Sequence, residues 1–388
     1  MKRRTFLQLF GGVAVTGVPS FAFQRSSPEP RRIVIAGGGI LGANVAYRLA
    51  KRGASVTLLE RARPAAGATS NSFAWINAQK QPQNYFALSQ IAIEAWRQLD
   101  RELSGKLPIM WGGGVRWASD PALGANLTQA VRRYESWGYP IYLIDEARLH
   151  ALERTLVLGK VTNALYAESE GSLDPVGATE ILLSQAAAEG AQIHYPAEVA
   201  GLDIQNGQLR AVRTTTGDVP ADVLVIACGV DTPKVAAMAG LTVSLTDSAG
   251  ILTHTTPQPR VVERVVMSPI GNIKQKPDGR IVTGLDFGTS KPEDATRENG
   301  VKALQKLAAV LPQLGNASLE KVTLGWRPMP KDGHPIIGFP EGRHDIYLAV
   351  MHSGVTLGAL VGRLAAAEIL DSIQVDVLSS FRVERFKT

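Results

Sequence analysis

The chain has 388 residues, 45% of them hydrophobic, with 41 Lys and Arg against 35 Asp and Glu, for a formal charge of +6. A chain of this length buries a sizeable core in one large domain or two interleaved ones. Its one cysteine, Cys228, excludes an intrachain disulfide, an iron–sulfur cluster and a cysteine-based zinc site, and no block of like charge gives a nucleic-acid footprint.

The N-terminus reads as an address. Lys2, Arg3 and Arg4 form a charged n-region, and Phe6 to Val18 is apolar but short for a bilayer span. Ser20-Phe21-Ala22 offers small residues at the two positions a signal peptidase reads, and Arg3-Arg4-Thr5-Phe6-Leu7 looks like a twin-arginine signal. Residues 1–22 are therefore expected to be a signal peptide and 23–30 a flexible leader. The expected partner is the twin-arginine export machinery, which carries folded, cofactor-loaded proteins. The expected location is the periplasm, with no stable membrane insertion after cleavage. An uncleaved anchor or a mis-called start is the competing reading. The three signal cations account for half of the formal charge, leaving a mildly basic mature surface of +3 that could draw in anionic substrates.

Arg31 to Glu60 reads as strand, glycine turn, helix and second strand ending in an acid. Each residue type has a task at a dinucleotide site. Gly37 permits the tight turn, Gly39 lets a pyrophosphate approach the backbone, and Gly42 lets the helix pack closely. Ile40 and Leu41 open the helix, whose N-terminal N–H groups and dipole favour phosphate. Glu60 is placed to accept ribose hydroxyls.

A polar loop, Gly67 to Ser72, precedes a predicted helix from Asn84 to Leu103. Ile109 to Ala151 mixes aromatic strands and helices, and its tyrosines read as packing. Asp174-Pro175 reads as N-cap and first position of a helix running to Glu189 and closed by Gly190. Strands are predicted over Ala191–Tyr195, Glu198–Ile204, Leu209–Thr214 and Val219–Ala227. Leu241 to Phe287 reads as an antiparallel sheet turning at Pro277-Asp278-Gly279. A helix over Lys302–Leu311 follows, then a strand over Ile346–Val350, a glycine turn and a helix over Leu357–Leu370. This pattern predicts an α/β fold: a Rossmann-like dinucleotide-binding domain (31–83, 152–238 and 325–388) interleaved with an antiparallel-sheet α+β substrate domain (84–151 and 239–324).

Five stretches resemble the D-amino-acid oxidase/glycine oxidase/sarcosine oxidase family of FAD-dependent oxidoreductases. They are the unit ending in Glu60, the loop Gly67-Ala68-Thr69-Ser70, Gly171-Ser172-Leu173-Asp174-Pro175, the strand Ala221 to Gly229, and the tail. In the tail, Gly325-Trp326-Arg327-Pro328 through Asp332-Gly333-His334-Pro335 to Gly338 is the most specific motif, and Tyr347 to Leu364 looks like the closing flavin loop and helix. The resemblance implies FAD, with Gly37, Gly39, Gly42, Glu60 and Arg61 at its ADP half and Val199 against the adenine. It places Thr69 and Ser70 near the pyrophosphate and Cys228-Gly229 beside the cofactor. Gly354, Val355, Thr356 and Leu357 would offer backbone groups to the flavin ring.

It further implies oxidation of the C–N bond of a small D-amino acid or N-alkyl amino acid, by hydride transfer to flavin N5 and hydrolysis of the imine. Oxygen or a respiratory acceptor would then reoxidise the flavin. Arg327 matches the arginine that grips the substrate carboxylate. His352 could orient substrate or take a proton. Trp75 could wall the pocket, although plain core is its commoner role, and Lys274 reads as a solvated strand residue. Two departures stand out. Phe73-Ala74-Trp75 replaces a common Asn-Ala-Gly, and Gly325 stands where sarcosine-oxidase relatives attach flavin to cysteine, so FAD is expected to be non-covalent. The histidines form no metal-ligand spacing, and no metal is expected. Two alternatives remain: a 2-hydroxy-acid dehydrogenase using the same arginine with His352 as base, and a non-catalytic flavin-binding assembly or sensing protein.

Overall fold

Strand β1 (Arg32–Ala36) is apolar on both sides: Ile33 and Ile35 pack into one core cluster, Val34 and Ala36 into another. A strand with no polar face belongs in the middle of a parallel sheet covered on both sides, and that is where the computed structural model puts it. The structure describes residues 30–285 and 290–387, in a body that begins at Arg31. The expected signal and residues 23–29 of the leader lie outside the described residues, as does Phe287.

Glycine-rich turn and helix α1 (Ile40–Lys51) lead from β1 to β2 (Ser55–Leu59). Further along come α2 (Gln83–Glu102), α3 (Pro175–Ala188), β3 (Gln192–His194), β4 (Val223–Ile226), β5 (Ile336–Gly338), β6 (Ile346–Val350) and α4 (Gly354–Asp371). The six strands form one sheet in the order β5-β6-β4-β1-β2-β3, parallel except for β5 on β6. Helices α1, α3 and α4 share the core on one face, with α2 laid across α4. A three-stranded sheet (Val199–Gln205, Gln208–Thr214, Gly217–Pro220) and the helix Thr232–Met238 cover the other face. Close packing of α4 on α1 depends on Gly362, where a Cβ would lie 2.7 Å from the Asn44 carbonyl oxygen.

A second, eight-stranded sheet runs Leu319–Trp326, Ala249–Thr255, Ile281–Gly284, Gly271–Gln275, Val265–Ser268, Gly114–Ala118, Asn163–Ala167 and Ile141–Ile144. Its core cluster includes Val115, Trp117, Val266, Ile273 and Ile281, packed with Leu304 and Leu307 of the helix Arg297–Leu307. A short sheet of Trp75–Ile76, Gly171–Leu173 and Ile109–Met110 completes the segments that frame the site.

The α/β class with parallel and antiparallel sheets is as the sequence predicts, and several details differ. The stretch 219–227 is two strands in two sheets, because Pro220 has no N–H to continue the ladder and Asp222 N–H turns to the Arg32 carbonyl at 2.9 Å. The 241–285 region is antiparallel apart from one parallel seam, Val265–Ser268 on Gly114–Ala118. The helix expected over 302–311 starts at Arg297, where Thr296 caps it through the Asn299 N–H, and ends at Leu307. Asp174 stands at the N-cap position of α3 without a capping hydrogen bond, its carboxylate instead lying 3.1 Å from Lys276 Nζ.

Candidate active site

Gly37 holds φ at +108°, and a Cβ there would lie 2.4 Å from the Ala227 carbonyl oxygen. Only glycine turns the chain so tightly out of β1. At Gly42 a Cβ would sit 1.9 Å from the Gly37 carbonyl oxygen, so this glycine brings α1 up against the turn and does not itself line the cleft. Glycine at position 39 is the N-cap of α1 and brings no capping side chain to the helix end.

These turns open into a cleft of about 1280 Å³ counted to its mouth. Gly37, Gly39, Ile40, Leu41, Glu60, Arg61, Thr69, Val199, Cys228, Gly229, Gly354 and Val355 all line it. Glu60 accepts from the Gly38 and Ala62 N–H groups at 2.8 and 2.9 Å, which fixes its carboxylate over the turn. Arg61 pairs with Asp231 at 2.9 Å and Lys234 with Glu198 at 2.7 Å on the rim. Bare glycine backbone, the N-terminus of α1 and a fixed carboxylate in one cleft fit a dinucleotide.

Two expectations for this cleft need correction, those for Ser70 and Leu357. Ser70 lines no part of it: its hydroxyl donates to Ala66 and Gly67 within its own loop. The Thr69 hydroxyl accepts from Ile40 N–H at 3.1 Å, so it caps α1 as well as lining the cleft. The Leu357 N–H is taken by the Ser353 carbonyl at 2.9 Å, and its side chain is fully buried, so it has no N–H to offer a ring. Cys228 donates its thiol to the Ala36 carbonyl at 3.3 Å, and burial pushes that thiol up to about 12. It is a packed hydrophobe rather than a nucleophile.

A second cavity of about 1050 Å³ adjoins the first. The two share Ala68, Ser72, Pro328, His352 and Val355 as walls. Arg327 reaches this cavity from the end of the strand Leu319–Trp326. Its guanidinium donates to the Ala249 carbonyl at 2.6 Å and to the Ser248 hydroxyl at 3.4 Å. It lies against Gly250, where a Cβ would be 2.3 Å from Nη2, so glycine there makes its room. At Gly325 a Cβ would fall 2.6 Å from Asn71 Cβ, which leaves no space for a cysteine side chain.

His352 stands where the cavities meet. Desolvation first, then the charges of Lys80 and Arg327, lower its pKa to about 3. The imidazole is therefore neutral at physiological pH and a poor proton acceptor, which favours an orienting role over the basic one expected from a free histidine. Thr356 lines the second cavity, and its hydroxyl donates to the Trp75 carbonyl at 3.1 Å. The Trp96 indole N–H is shared by the Val355 and Thr356 carbonyls at 2.9 and 3.0 Å, which pins the first turn of α4 to α2. Tyr85 and Ser353 hydroxyls hydrogen-bond just before that turn.

Several site residues were not foreseen. Trp75 does wall the second cavity, and its indole N–H donates to Glu170 at 2.8 Å. Glu170 is fully buried and also accepts from Gln79 and Tyr139 at 2.8 and 2.9 Å, yet desolvation raises its pKa to about 7. Lys80 and Asn77 line the same cavity, and Asn77 Oδ1 is buried without a hydrogen-bond partner. Lys274 is buried rather than solvated, at 2% exposure, with its ammonium donating to the Leu173 carbonyl at 2.8 Å. Nothing local in the sequence separates Lys80 or Glu170 from surface charges; only the sheet pairing of Trp75 with Ser172 gathers them. Among the described residues no cluster of three His, Cys, Asp or Glu could hold a metal ion.

A dinucleotide cleft opening at a shared wall into a small arginine-bearing chamber defines a nucleotide-cofactor oxidoreductase. The chain belongs to the FAD-dependent oxidoreductase family (DAO), whose model matches residues 32–368. It is similar to a glycine oxidase of Geobacillus kaustophilus, 26% identical over 86% of this chain and 91% of that one. A mitochondrial dimethylglycine dehydrogenase of Rattus norvegicus is 28% identical over 62% of this chain but only 29% of the longer relative. Its fold matches the crystal structure of an L-proline dehydrogenase from P. horikoshii with a TM-score of 0.82 at 24% identity, covering 93% of this chain and 98% of the other.

Proposed function

We propose that this FAD-dependent enzyme oxidises the C–N bond of a small amino acid, either a D-amino acid or an N-alkyl amino acid. The observation that carries this reading is Arg327 in the chamber that meets the dinucleotide cleft at His352 and Val355. FAD, when bound, supplies the hydride acceptor at its N5. Gly37, Gly39, Glu60, Arg61, Val199 and the N-terminus of α1 would hold its ADP half. Gly354, Val355 and the Thr356 region, with no covalent link at Gly325 or Cys228, would hold the ring end.

The chain's own part is positioning. Arg327 Nη1, held by the Ala249 carbonyl and the Ser248 hydroxyl, keeps the guanidinium at this wall, where it would meet a planar carboxylate. A carboxylate gripped there would bring the α-carbon and its nitrogen toward the wall the two cavities share. A neutral His352 orients the amine without competing for its proton. Water then hydrolyses the released imine to a carbonyl and an amine. A 2-hydroxy acid would need a base strong enough to take a hydroxyl proton, and the depressed pKa of His352 disfavours that alternative.

Anaerobic mixing of FAD-loaded protein with D-amino acids, N-methyl amino acids and 2-hydroxy acids, followed by flavin absorbance, tests the reading. Bleaching by amines is expected, and bleaching by hydroxy acids alone would overturn it. Arg327→Ala should lower the reduction rate per substrate concentration about a hundredfold or more while FAD stays bound. Loss of FAD instead would make the arginine structural.

The twin-arginine-type start supports export of the loaded enzyme to the periplasm. Cell fractionation is expected to find the wild type there and the double variant Arg3→Lys, Arg4→Lys in the cytoplasm. An unchanged distribution would reject this route.

A further inference from the structure

The second cavity carries two cations, and among its described lining residues there is no carboxylate. One cation, Arg327, already has a task under the reading above. The other is Lys80, which comes to the same wall from the segment after Trp75 and Asn77. Burial pushes the Lys80 ammonium below its ordinary pKa, and the one carboxylate that favours its charge is Glu170. That carboxylate is already engaged by the Trp75 indole, the Gln79 amide and the Tyr139 hydroxyl. No carboxylate among the described residues lies within ion-pair distance of Lys80. A desolvated cation in such a place is costly unless an anion meets it.

An amino acid with a single carboxylate gives Arg327 its anion and leaves Lys80 facing an amine, which is cationic when protonated. A substrate with a second carboxylate satisfies both cations, and its amine lies between them, toward His352.

Resting on the amine reading above, we infer that the preferred substrate is an amino dicarboxylate, with one carboxylate on Arg327 and the second on Lys80. Acidic amino acids and N-carboxyalkyl amino acids both belong to this class. Lys80 is thus a specificity residue: it selects the substrate and takes no part in hydride transfer.

The test uses binding rather than turnover. FAD-loaded protein is titrated with thiodiacetate and with methylthioacetate, which carry two carboxylates and one, respectively, and no C–N bond to oxidise. The perturbed flavin spectrum gives each dissociation constant. Thiodiacetate is expected to bind at least tenfold tighter; in Lys80→Met this ratio should fall toward one, and in Lys80→Arg it should largely return. Equal or weaker binding of thiodiacetate by the wild type overturns the inference, as does no measurable binding, or a ratio that survives Lys80→Met. The wild-type ratio decides alone if the Met variant does not hold FAD. Flavin bleaching by monocarboxylate amino acids with no dicarboxylate preference would sink this inference and leave the amine reading standing. A clear dicarboxylate preference without bleaching by any amine would sink the amine reading, and with it the amino part of this inference, and leave only the two-carboxylate site.

Discussion

At the scale of single residues, burial rather than sequence neighbourhood sets the chemistry. His352 loses its basicity because it is desolvated beside two cations, and Glu170 becomes a weak acid because three neutral donors do not offset its desolvation. Ala74 shows backbone doing similar work. It holds φ at +52°, a left-handed conformation, and is 2% exposed between Phe73 and Trp75. Replacing Ala74 by glycine relieves about 1–2 kcal/mol of left-handed cost. It removes a buried methyl worth about 0.8 kcal/mol and adds about 0.4–1 kcal/mol of unfolded-chain entropy. These nearly cancel, so Ala74→Gly should stay within about 1 kcal/mol of wild type in urea unfolding of the FAD-loaded protein. Ala74→Val, branched at a left-handed position, should lose about 2 kcal/mol or more. A large loss for the glycine variant would mean the methyl packs far better than its size suggests.

At the scale of elements, legibility followed period and punctuation. The strand Ile346–Val350 and the unit from β1 to β2 were readable because each residue type had one task there: apolar runs for a doubly covered strand, glycines for the turn. Helix α2 was readable to within a residue at each end from its apolar spacing. The helix Arg297–Leu307 was misplaced because its start is set by the Thr296 cap, a single hydroxyl in a polar stretch. The strands around Pro220 merged in the sequence because apolar residues resume at once in a different sheet, and sheet membership is a long-range property. The same limit applies to the site. Gly37, Glu60, Arg327 and His352 lie in local motifs and were legible as candidates. Lys80 and Asn77 were not, nor was Glu170 behind the Trp75 wall, since that chamber is assembled by the pairing of Trp75 with Ser172. Ser70 and Leu357 show the converse, where a motif position was right and its side chain or N–H was already committed within the fold.

At the scale of the whole molecule, Lys274 ties the eight-stranded sheet to the short sheet beside the site, with a strength that depends on pH. It sits on the strand Gly271–Gln275 of the eight-stranded sheet and donates to Leu173, on the short sheet beside the site, with the Phe73 ring 5.6 Å from its ammonium. Desolvation, opposed by the charge of Asp174, lowers its pKa to about 7. In the unfolded chain the same lysine titrates near 10.4. Between those values the unfolded state holds a proton that the folded state has released, so raising the pH through this window adds stability, and lowering it toward 7 removes that stability. Glu170 and Glu153, both raised to about 7, act in the opposite sense, but their window closes where that of Lys274 opens. Cys228, raised to about 12, titrates in the alkaline range too, which makes an absolute pH profile ambiguous and a difference between variants informative. Lys274→Met keeps the chain length and removes the charge, at the cost of an unpaired Leu173 carbonyl. Stability of wild type minus that of Lys274→Met, from urea unfolding at pH 7 and pH 9.5, should therefore grow by about 3 kcal/mol with pH. A difference independent of pH would show that the ammonium keeps an ordinary pKa in the folded state, and that its tie to Leu173 is made by a fully charged lysine with water at hand.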